Sequence, residues 1–579
     1  MMQLFIFFSL SCMCRSLQMS DPRTGISYLP KTTVDRINVE GNKIEKTKLE
    51  KDPSKAWTDL YEYAAAIRSE TLTWEELEAG DANIRLKWCG LLSRFKKVPG
   101  TFMMRLRKPN GILRSDALRL YADALEDAAI TVGQETAVAD ITTRQNLQLR
   151  GLTLDQAADL IAKLPDVNVT CHQSAMDNVR NIVGSPLAGI DQDELLDTRP
   201  YCNALNDLIT IDPDTNKRGN PKWGNLPRKF NIAVSSSPAD YAHAKINDLA
   251  FEAATHNDGN LGFNVVVGGY FSARRSTHAI DLGLWIPASV SNVLDVSTAI
   301  LEIFRDEGFR GDRQKARFMW LVEACGGADA FKLKLLEKLK NEFSQFPIDQ
   351  VDTHQNVANN AVSIDRKPMI GVFPQQSQSL SRVGMHVPVG RLSLEELRAL
   401  ADAAEQHSGS ELRLTVEQNV IFPNVKNPHA LIEQLGISAS RLSATPGPVS
   451  GNTVSCTGSQ FCPLAIIETK AFATRISQRL DDALGMPLRL HVTGCPNSCG
   501  QVQMADIGLM GAPARRIDPE TGKAKAVPGC NVFLGGTIGH NSKLSLEPVL
   551  KGLPIDDEDE LVGALIDLIE KEKLQATAV

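Results

Sequence analysis

"ITTRQNLQLRG" runs from Ile141 to Gly151, and "LTVEQNVIF" runs from Leu414 to Phe422. Both read as apolar strand signals broken by a polar pair, Gln145-Asn146 in the first and Gln418-Asn419 in the second. Each sits in the same larger plan. From Thr101, "TFMMRLRKPNGILRSDALRLYADALEDA" predicts a strand ending at Pro109-Asn110-Gly111. A helix follows with Leu118, Tyr121, Ala122 and Leu125 on one face, and Ser115 is its expected cap. From Arg382, "RVGMHVPVGRLSLEELRALADAAEQ" repeats the pattern, with Ser393 and Glu396 as a capping box. Thr153 and Gln156 offer the next helix of the first copy the same device. Self-similarity of this kind predicts two related halves. Each copy leads into a longer segment, "VNVTCHQSAMDNVRNIVGSPLAG" or "GNTVSCTGSQFCPLAIIETKAFATRI". Laid side by side, Cys171 falls opposite Cys456 and Arg144 opposite Glu417.

Chemistry concentrates in the second long segment. Four of the eleven cysteines form two close pairs, Cys456 with Cys462 and Cys495 with Cys499. The first pair is wider than the spacing usual in zinc sites, whereas four thiolates are the usual complement of an iron–sulfur cluster. Gly458, Gly494 and Gly500 permit close backbone approach to bulky sulfides, and Pro463 and Pro496 stiffen the turns. Four separate buried thiols are the alternative on spacing alone. Cys89, Cys171, Cys202, Cys325 and Cys530 are scattered, which fits a reducing compartment better than a disulfide framework.

Composition sets the outer limits. At 579 residues and 43% hydrophobic content the chain is long enough for more than one domain. Its net charge of −7, from 62 basic and 69 acidic residues, argues against general nucleic-acid affinity. No apolar run reaches the ~18 residues of a membrane span. "LFIFFSLSCMC", Leu4 to Cys14, has the length of a signal-peptide core but lacks a basic start; a start at Met19 is the alternative. The first half is rich in arginine, with Arg105, Arg107, Arg144, Arg150, Arg180 and Arg228, followed by Lys229.

Taken together, "RLKW" at Arg85, "FMMRL" at Phe102, "TTRQN" at Thr142, "MDNVRN" at Met176, "LPRKFN" at Leu226 and C-x5-C…C-x3-C resemble the nitrite and sulfite reductase family. The likeness covers almost everything from Val34 onward. It implies an α+β fold of two pseudo-symmetric halves, each a ferredoxin-like half-domain followed by a larger α/β haem or cluster domain. The expected division is a targeting segment and linker over 1–33, an N-terminal extension over 34–100, and half-domains over 101–165 and 371–440. A first sirohaem-binding domain with linker then covers 166–370, and a second sirohaem and 4Fe-4S domain covers 441–579.

The resemblance further implies sirohaem coupled to a 4Fe-4S cluster. Cys456, Cys462, Cys495 and Cys499 would hold the cluster, and Cys499 would bridge it to the haem iron. Arg105, Arg107, Arg144, Arg150, Arg180 and Arg228 would bind the haem carboxylates, a task suited to planar guanidinium groups. Arg105, Arg144, Lys229 and Asn231 would face the substrate anion. Sulfite-reducing members usually carry lysine where Asn231 stands and nitrite-reducing members asparagine, so nitrite, reduced to ammonium, is the expected substrate. Assimilatory sulfite reduction is the alternative, and a zinc-bound binding scaffold a remote one. Leu147 replaces the tryptophan usual in plant enzymes after "RQN", and only a packing difference is expected from it.

Without a G-x-G-x-x-G fingerprint the chain needs an external electron carrier, which the resemblance makes reduced ferredoxin. Lys43, Lys46, Lys48, Lys51, Arg94, Lys96 and Lys97 are candidates for a basic docking face. A monomer without stable membrane insertion is expected. The expected location is the plastid stroma, reached through a bipartite address in which residues Arg15 to Lys31 act as the transit segment; the cytoplasm is the alternative.

Overall fold

The computed structural model describes residues 24–77, 82–94, 98–353, 366–517, 522–539 and 542–577, with side chains described to residue 571. The signal-like stretch, Met19, Lys96 and Lys97 lie outside the described residues. The architecture is mixed, with four five-stranded sheets and helices packed against them. Among the described residues no helix is long and apolar enough to cross a membrane.

Two of the sheets come from the repeated plan, and each is completed by the other copy. The first runs in the order Leu91–Ser93, Thr101–Arg105, Leu147–Thr153, Ala139–Ile141, Arg391–Leu392. The second runs Gly371–Pro374, Ser381–Met385, Val420–Val425, Glu411–Leu414, Ile112–Arg114. The edge strand of each is contributed by the opposite half, so the two ferredoxin-like units are intertwined and share one apolar core. The crossing points are tight turns at Pro109–Gly111 and Pro388–Gly390, where Asn110 (φ 57°) and Val389 (φ 48°) adopt left-handed backbone. Helices Ser115–Val132 and Leu394–His407 pack across the pseudo-twofold axis. Their ion pairs are reciprocal: Arg119 binds Asp402 and Glu405, while Arg398 binds Asp123 at 3.0 Å and Glu126 at 2.7 Å.

Local signals mostly act as expected. Leu118, Tyr121, Ala122 and Leu125 are buried. Ser393 and Glu396 form their capping box, and Gln156 accepts the Thr153 N–H at 3.0 Å. Ser115 is a correction: it is the first helical residue, not the cap. The preceding strand runs straight into the helix, and the Ser115 N–H is taken by the Ser410 carbonyl of the other half at 3.1 Å. Leu147 is buried in the shared core.

The other two sheets also repeat. One orders Val183–Gly184, Ile232–Ser235, Leu249–Thr255, Leu261–Val267, Ile280–Pro287; the other orders Thr453–Ser455, Leu490–Thr493, Ile507–Ile517, Ala524–Leu534, Leu550–Pro554. In both, the first three strands are parallel and the last two antiparallel. The glutamines of the quoted stretches dock them alike. Gln145 Oε1 accepts the Gly184 N–H at 3.0 Å, and Gln418 Oε1 accepts the Ser455 N–H at 2.8 Å.

That equivalence corrects the pairing of Cys171 with Cys456. Bridges Arg107–Thr170 and His386–Ser443 match, which sets Cys171 opposite Ala444. Gly184 opposite Ser455 sets Ser185 opposite Cys456. Left-handed residues recur at Asp240 and Ser498 and at His243 and Gln501, each pair just before a short turn of helix. Ser237 therefore answers Cys495 and Tyr241 answers Cys499. Sequence alignment missed this because the loops before these strands differ in length.

Candidate functional site

Parallel strands Thr453–Ser455 and Leu490–Thr493 end side by side, and the two cysteine loops leave from their carboxyl ends. This is where sheets with parallel strands present ligand sites. The loops are tied together: Ile466 N–H donates to the Gly494 carbonyl at 2.7 Å, and Gly494 N–H donates to Cys456 Sγ at 3.2 Å. Asn497 Nδ2 approaches Cys495 Sγ at 3.6 Å. His491 is buried with Nδ1 facing the Gly500 and Gln501 carbonyls at 2.9 and 3.1 Å, so that nitrogen carries the proton and braces the turn after Cys499. At Gly458 (φ +69°) a side chain would meet Thr469 at 2.5 Å, and at Gly500 it would meet the Val492 carbonyl at 2.4 Å. The close neighbours at these glycines are atoms of the chain itself.

The four thiols converge. Burial pushes the Cys462, Cys495 and Cys499 thiols up, and neighbouring cysteines push each further. Among the described residues no three His, Cys, Asp or Glu side chains are grouped to hold a single metal ion. Four thiols close enough to act on one another are the ligand complement of a 4Fe-4S cluster. Cys499 is exposed while the other three are half-buried. Thr143 Oγ1 of the other half donates to its carbonyl at 3.2 Å, so Cys499 faces the cleft between the halves.

The other half supplies the cations of that cleft. Lys229 and Arg105 both draw the Cys499 thiol pKa back down. Arg105, Arg144, Arg180, Arg228, Lys229 and Asn231 are all half-buried. Burial lowers Arg105 and Arg228 to about 10 and Arg144 to about 9, and it pulls Arg180 and Lys229 further below their usual ranges. Mutual repulsion adds to this: Arg105 and Arg228 act on Arg180, and Arg317 and Arg228 act on Lys229. Arg144 is aimed by Asn247 Oδ1 at 2.8 Å and the Asn181 carbonyl at 2.7 Å. The Nε atoms of Arg144 and Arg180 are buried without hydrogen-bond partners among the described residues.

Two buried aspartates back this group, and sequence reasoning missed both. Asp248 accepts the Asn231 backbone N–H at 2.8 Å and pairs with Arg317 at 2.6 Å. Asp177 pairs with Arg313 at 2.7 Å and lies 3.8 Å from Arg228. Asp177 stood in the quoted "MDNVRN" and could have been singled out; nothing local marked Asp248, Arg313 or Arg317.

Two of the predicted haem arginines also have partners within the chain. Arg107 is buried and donates to Asn206 and to the Gln173 and Val179 carbonyls. Arg150 is buried against Asp140 at 2.6 Å and reaches Thr457 in the first cysteine loop at 3.0 Å. Two docking candidates are corrected outright. Lys48 is fully buried between Glu45 and Asp177 because its helix packs on the first half. Arg94 is buried with its guanidinium over the Phe461 ring. Lys43, Lys46 and Lys51 are exposed.

Two family profiles match the chain. One, described as the nitrite and sulphite reductase 4Fe-4S domain, covers residues 175–343 and 447–573. The other, the nitrite/sulfite reductase ferredoxin-like half domain, covers 94–167 and 374–430. The chain belongs to the nitrite and sulphite reductase family. Within the family it is 44% identical over 540 residues to a ferredoxin–nitrite reductase of Synechococcus elongatus, covering 92% of this chain and 97% of that one. It is 41% identical over 536 residues to a chloroplastic ferredoxin–nitrite reductase of Arabidopsis thaliana, covering 92% and 86%. The Mycobacterium tuberculosis NirA protein superposes with a TM-score of 0.75 at 27% identity, covering 91% and 92%.

The residues present fit the family's cofactors. Four converging thiols suit a 4Fe-4S cluster. A cleft of five cations, two with orphaned buried N–H groups, suits a macrocycle rimmed by carboxylates.

Proposed function

We propose that this chain reduces nitrite to ammonium with six electrons taken singly from reduced ferredoxin. The balanced reaction consumes nitrite, six electrons and eight protons and yields ammonium and two waters. The observation that carries the reading is the meeting of Cys499, the exposed member of the thiol group, with Lys229 and Arg105 of the opposite half. Sirohaem and the 4Fe-4S cluster, when bound, supply the iron that takes the anion and the store that feeds it electrons.

The chain's own residues bind, orient and protonate. Arg105 and Arg144 attract the anion and stabilise negative charge on a departing oxygen. Arg180 and Arg228 complete a field that repels cations and concentrates anions. Lys229 is held well below its usual pKa by burial, then by Arg317 and Arg228, which eases release of a proton from its Nζ, and water can restore it. Asn231 offers a neutral amide where a second ammonium would favour a dianion. Cys456, Cys462, Cys495 and Cys499 would hold the cluster, with Cys499 nearest the cations of the first half, while Arg107 and Arg150 brace the surrounding loops.

Ferredoxin, the donor for which the relatives are named, is the electron donor here, and the enzyme acts as a monomer. The relatives include chloroplastic enzymes, and we place this one in the plastid stroma, where ferredoxin is reduced by light. Fusing residues 1–40 to a fluorescent protein tests the location: plastid fluorescence supports it, and diffuse or secreted signal removes it. The activity is tested by optical spectroscopy, iron and labile-sulfide analysis, and turnover with reduced viologen. Ammonium formation with a haem spectrum is expected; a colourless protein, or sulfite strongly preferred over nitrite, overturns the reading.

A further inference from the structure

Beside the cysteine loops lies a concentration of positive charge that substrate binding does not use. Asp140 is buried, and three cations share its single carboxylate: Arg150 at 2.6 Å, Arg391 at 2.9 Å and Lys470 at 3.5 Å. Two positive charges are therefore left over. Arg94 adds a third: it is 7% exposed, its Nε and Nη1 lack hydrogen-bond partners, and its side chain has no ion-pair partner among the described residues. The guanidiniums of Arg94, Arg150 and Arg391 surround one ring, that of Phe461, at 4.4, 4.5 and 5.0 Å from its centre. Each is within cation–π range.

Phe461 immediately precedes Cys462. Arg150 also donates to Thr457, and Arg391 donates to Gln460 at 2.5 Å, so the cage grips the loop between Cys456 and Cys462 at three points. Arg94, Asp140 and Arg150 come from the first half, and Arg391, Phe461 and Lys470 from the second. The cage therefore staples the halves together at the thiol group. Buried charge of one sign is costly without an opposite charge nearby. A 4Fe-4S cluster held by Cys456 and Cys462 of that loop, with its thiolate and sulfide ligands, would supply that opposite charge.

We infer that Arg94, Arg150 and Arg391, gathered on Phe461, form a cationic cage that tunes the 4Fe-4S cluster toward its reduced state. Each electron accepted from ferredoxin adds one negative charge to the cluster. A fixed positive charge nearby favours that product, and net local charge is a recognised determinant of cluster potential. The inference rests on the cluster assignment above.

The test is a redox titration of purified holoenzyme, following the electron paramagnetic resonance of the reduced cluster. Arg94→Gln is the informative variant, because removing Arg94 strands no carboxylate. At the wild-type midpoint its reduced-to-oxidised ratio should fall about tenfold, a shift of about 59 mV to more negative potential for one electron. Arg94→Lys keeps the charge and should retain the wild-type midpoint. Phe461→Leu should lower iron and labile-sulfide content by loosening the loop. An unmoved midpoint in Arg94→Gln, with wild-type iron and labile sulfide, overturns the inference while leaving the cluster standing. Absence of labile sulfide from the wild type overturns the cluster and the inference together.

Discussion

Asn231→Lys adds one ammonium to a cleft already lined by Lys229, Arg228 and Arg144. The backbone should hold, because Asp248 fixes the residue 231 N–H at 2.8 Å whatever side chain follows. Fully ionised sulfite carries one more negative charge than nitrite, so the new cation favours sulfite by the attraction of a single extra charge. At about 5 Å and an effective dielectric of about 20 that attraction is about 3 kcal/mol. Side chain 231 is half-buried in an open cleft, and solvent there screens part of it. The ratio of kcat/KM for sulfite to that for nitrite should accordingly rise about 10- to 100-fold, tenfold corresponding to about 1.4 kcal/mol. Most of the change should appear in KM, because the anion carries its charge before reacting. Nitrite kcat should fall as well, since Lys229, already depressed by burial and then by Arg317 and Arg228, gains another cationic neighbour. Steady-state assays with reduced viologen measure kcat and KM for both anions. An unchanged ratio in a variant with intact optical spectrum would remove Asn231 from the basis of specificity.

Replacing Cys499 with serine should abolish nitrite reduction and alter the haem spectrum, and a wild-type spectrum with normal turnover would refute its place between the cofactors. Glu417 is half-buried; desolvation raises its pKa, but Arg366 and then His243 prevail and hold it at about 2. Its folded pKa is therefore below its unfolded one, so its contribution to stability is present above about pH 4.5 and lost as pH falls toward 2. Glu417→Gln should destabilise the fold by about 3 kcal/mol, because Arg366 is left uncompensated, and should flatten that acid limb in denaturant melts. At Gly390 (φ +69°) a Cβ would sit 2.8 Å from Gln418 Cβ and 3.0 Å from the Ile141 carbonyl. Gly390→Ala should cost about 2 kcal/mol, read as a lowered denaturation midpoint, and an unchanged midpoint would remove the crossing turn from the fold's constraints.

The duplicated plan was legible because local chemistry writes it twice: a strand, a breaker, an amphipathic helix, and a Gln-Asn pair. The strand exchange was not legible. Ile112–Arg114 and Arg391–Leu392 are too short for their pattern to name a partner, and their register is set by pairing with the opposite half. The four cysteines were legible from spacing and turn residues, and the cleft cations from motif resemblance. The layer behind them was hidden, because Asp248, Arg317 and Asp140 matter only through contacts between residues distant in the chain. Arg94 and Lys48 illustrate the converse. Basic residues among other charges read as surface, yet Lys48 is buried by the packing of its helix on the first half and Arg94 by the Phe461 ring of the second.

The corrected pairing of the halves explains why only one of them carries a thiol group. Ser185, Ser237 and Tyr241 stand where Cys456, Cys495 and Cys499 stand in the other half. No thiolate set can form there. Tyr241 is buried, its hydroxyl accepts the Lys367 N–H at 3.0 Å, and the Arg366 guanidinium lies 4.8 Å over its ring. Arg366 also binds the Ala239 and Asp240 carbonyls and pairs with Glu417, which in turn lies 3.4 Å from His243. Glu417 is the counterpart of Arg144. The exchange of Arg for Glu and of Cys for Tyr therefore works as a unit: one half keeps an anion-seeking guanidinium beside an exposed sulfur, and the other neutralises and fills the same space. Two copies of one plan thus yield a single cleft between them, with cations from the first half facing sulfur from the second.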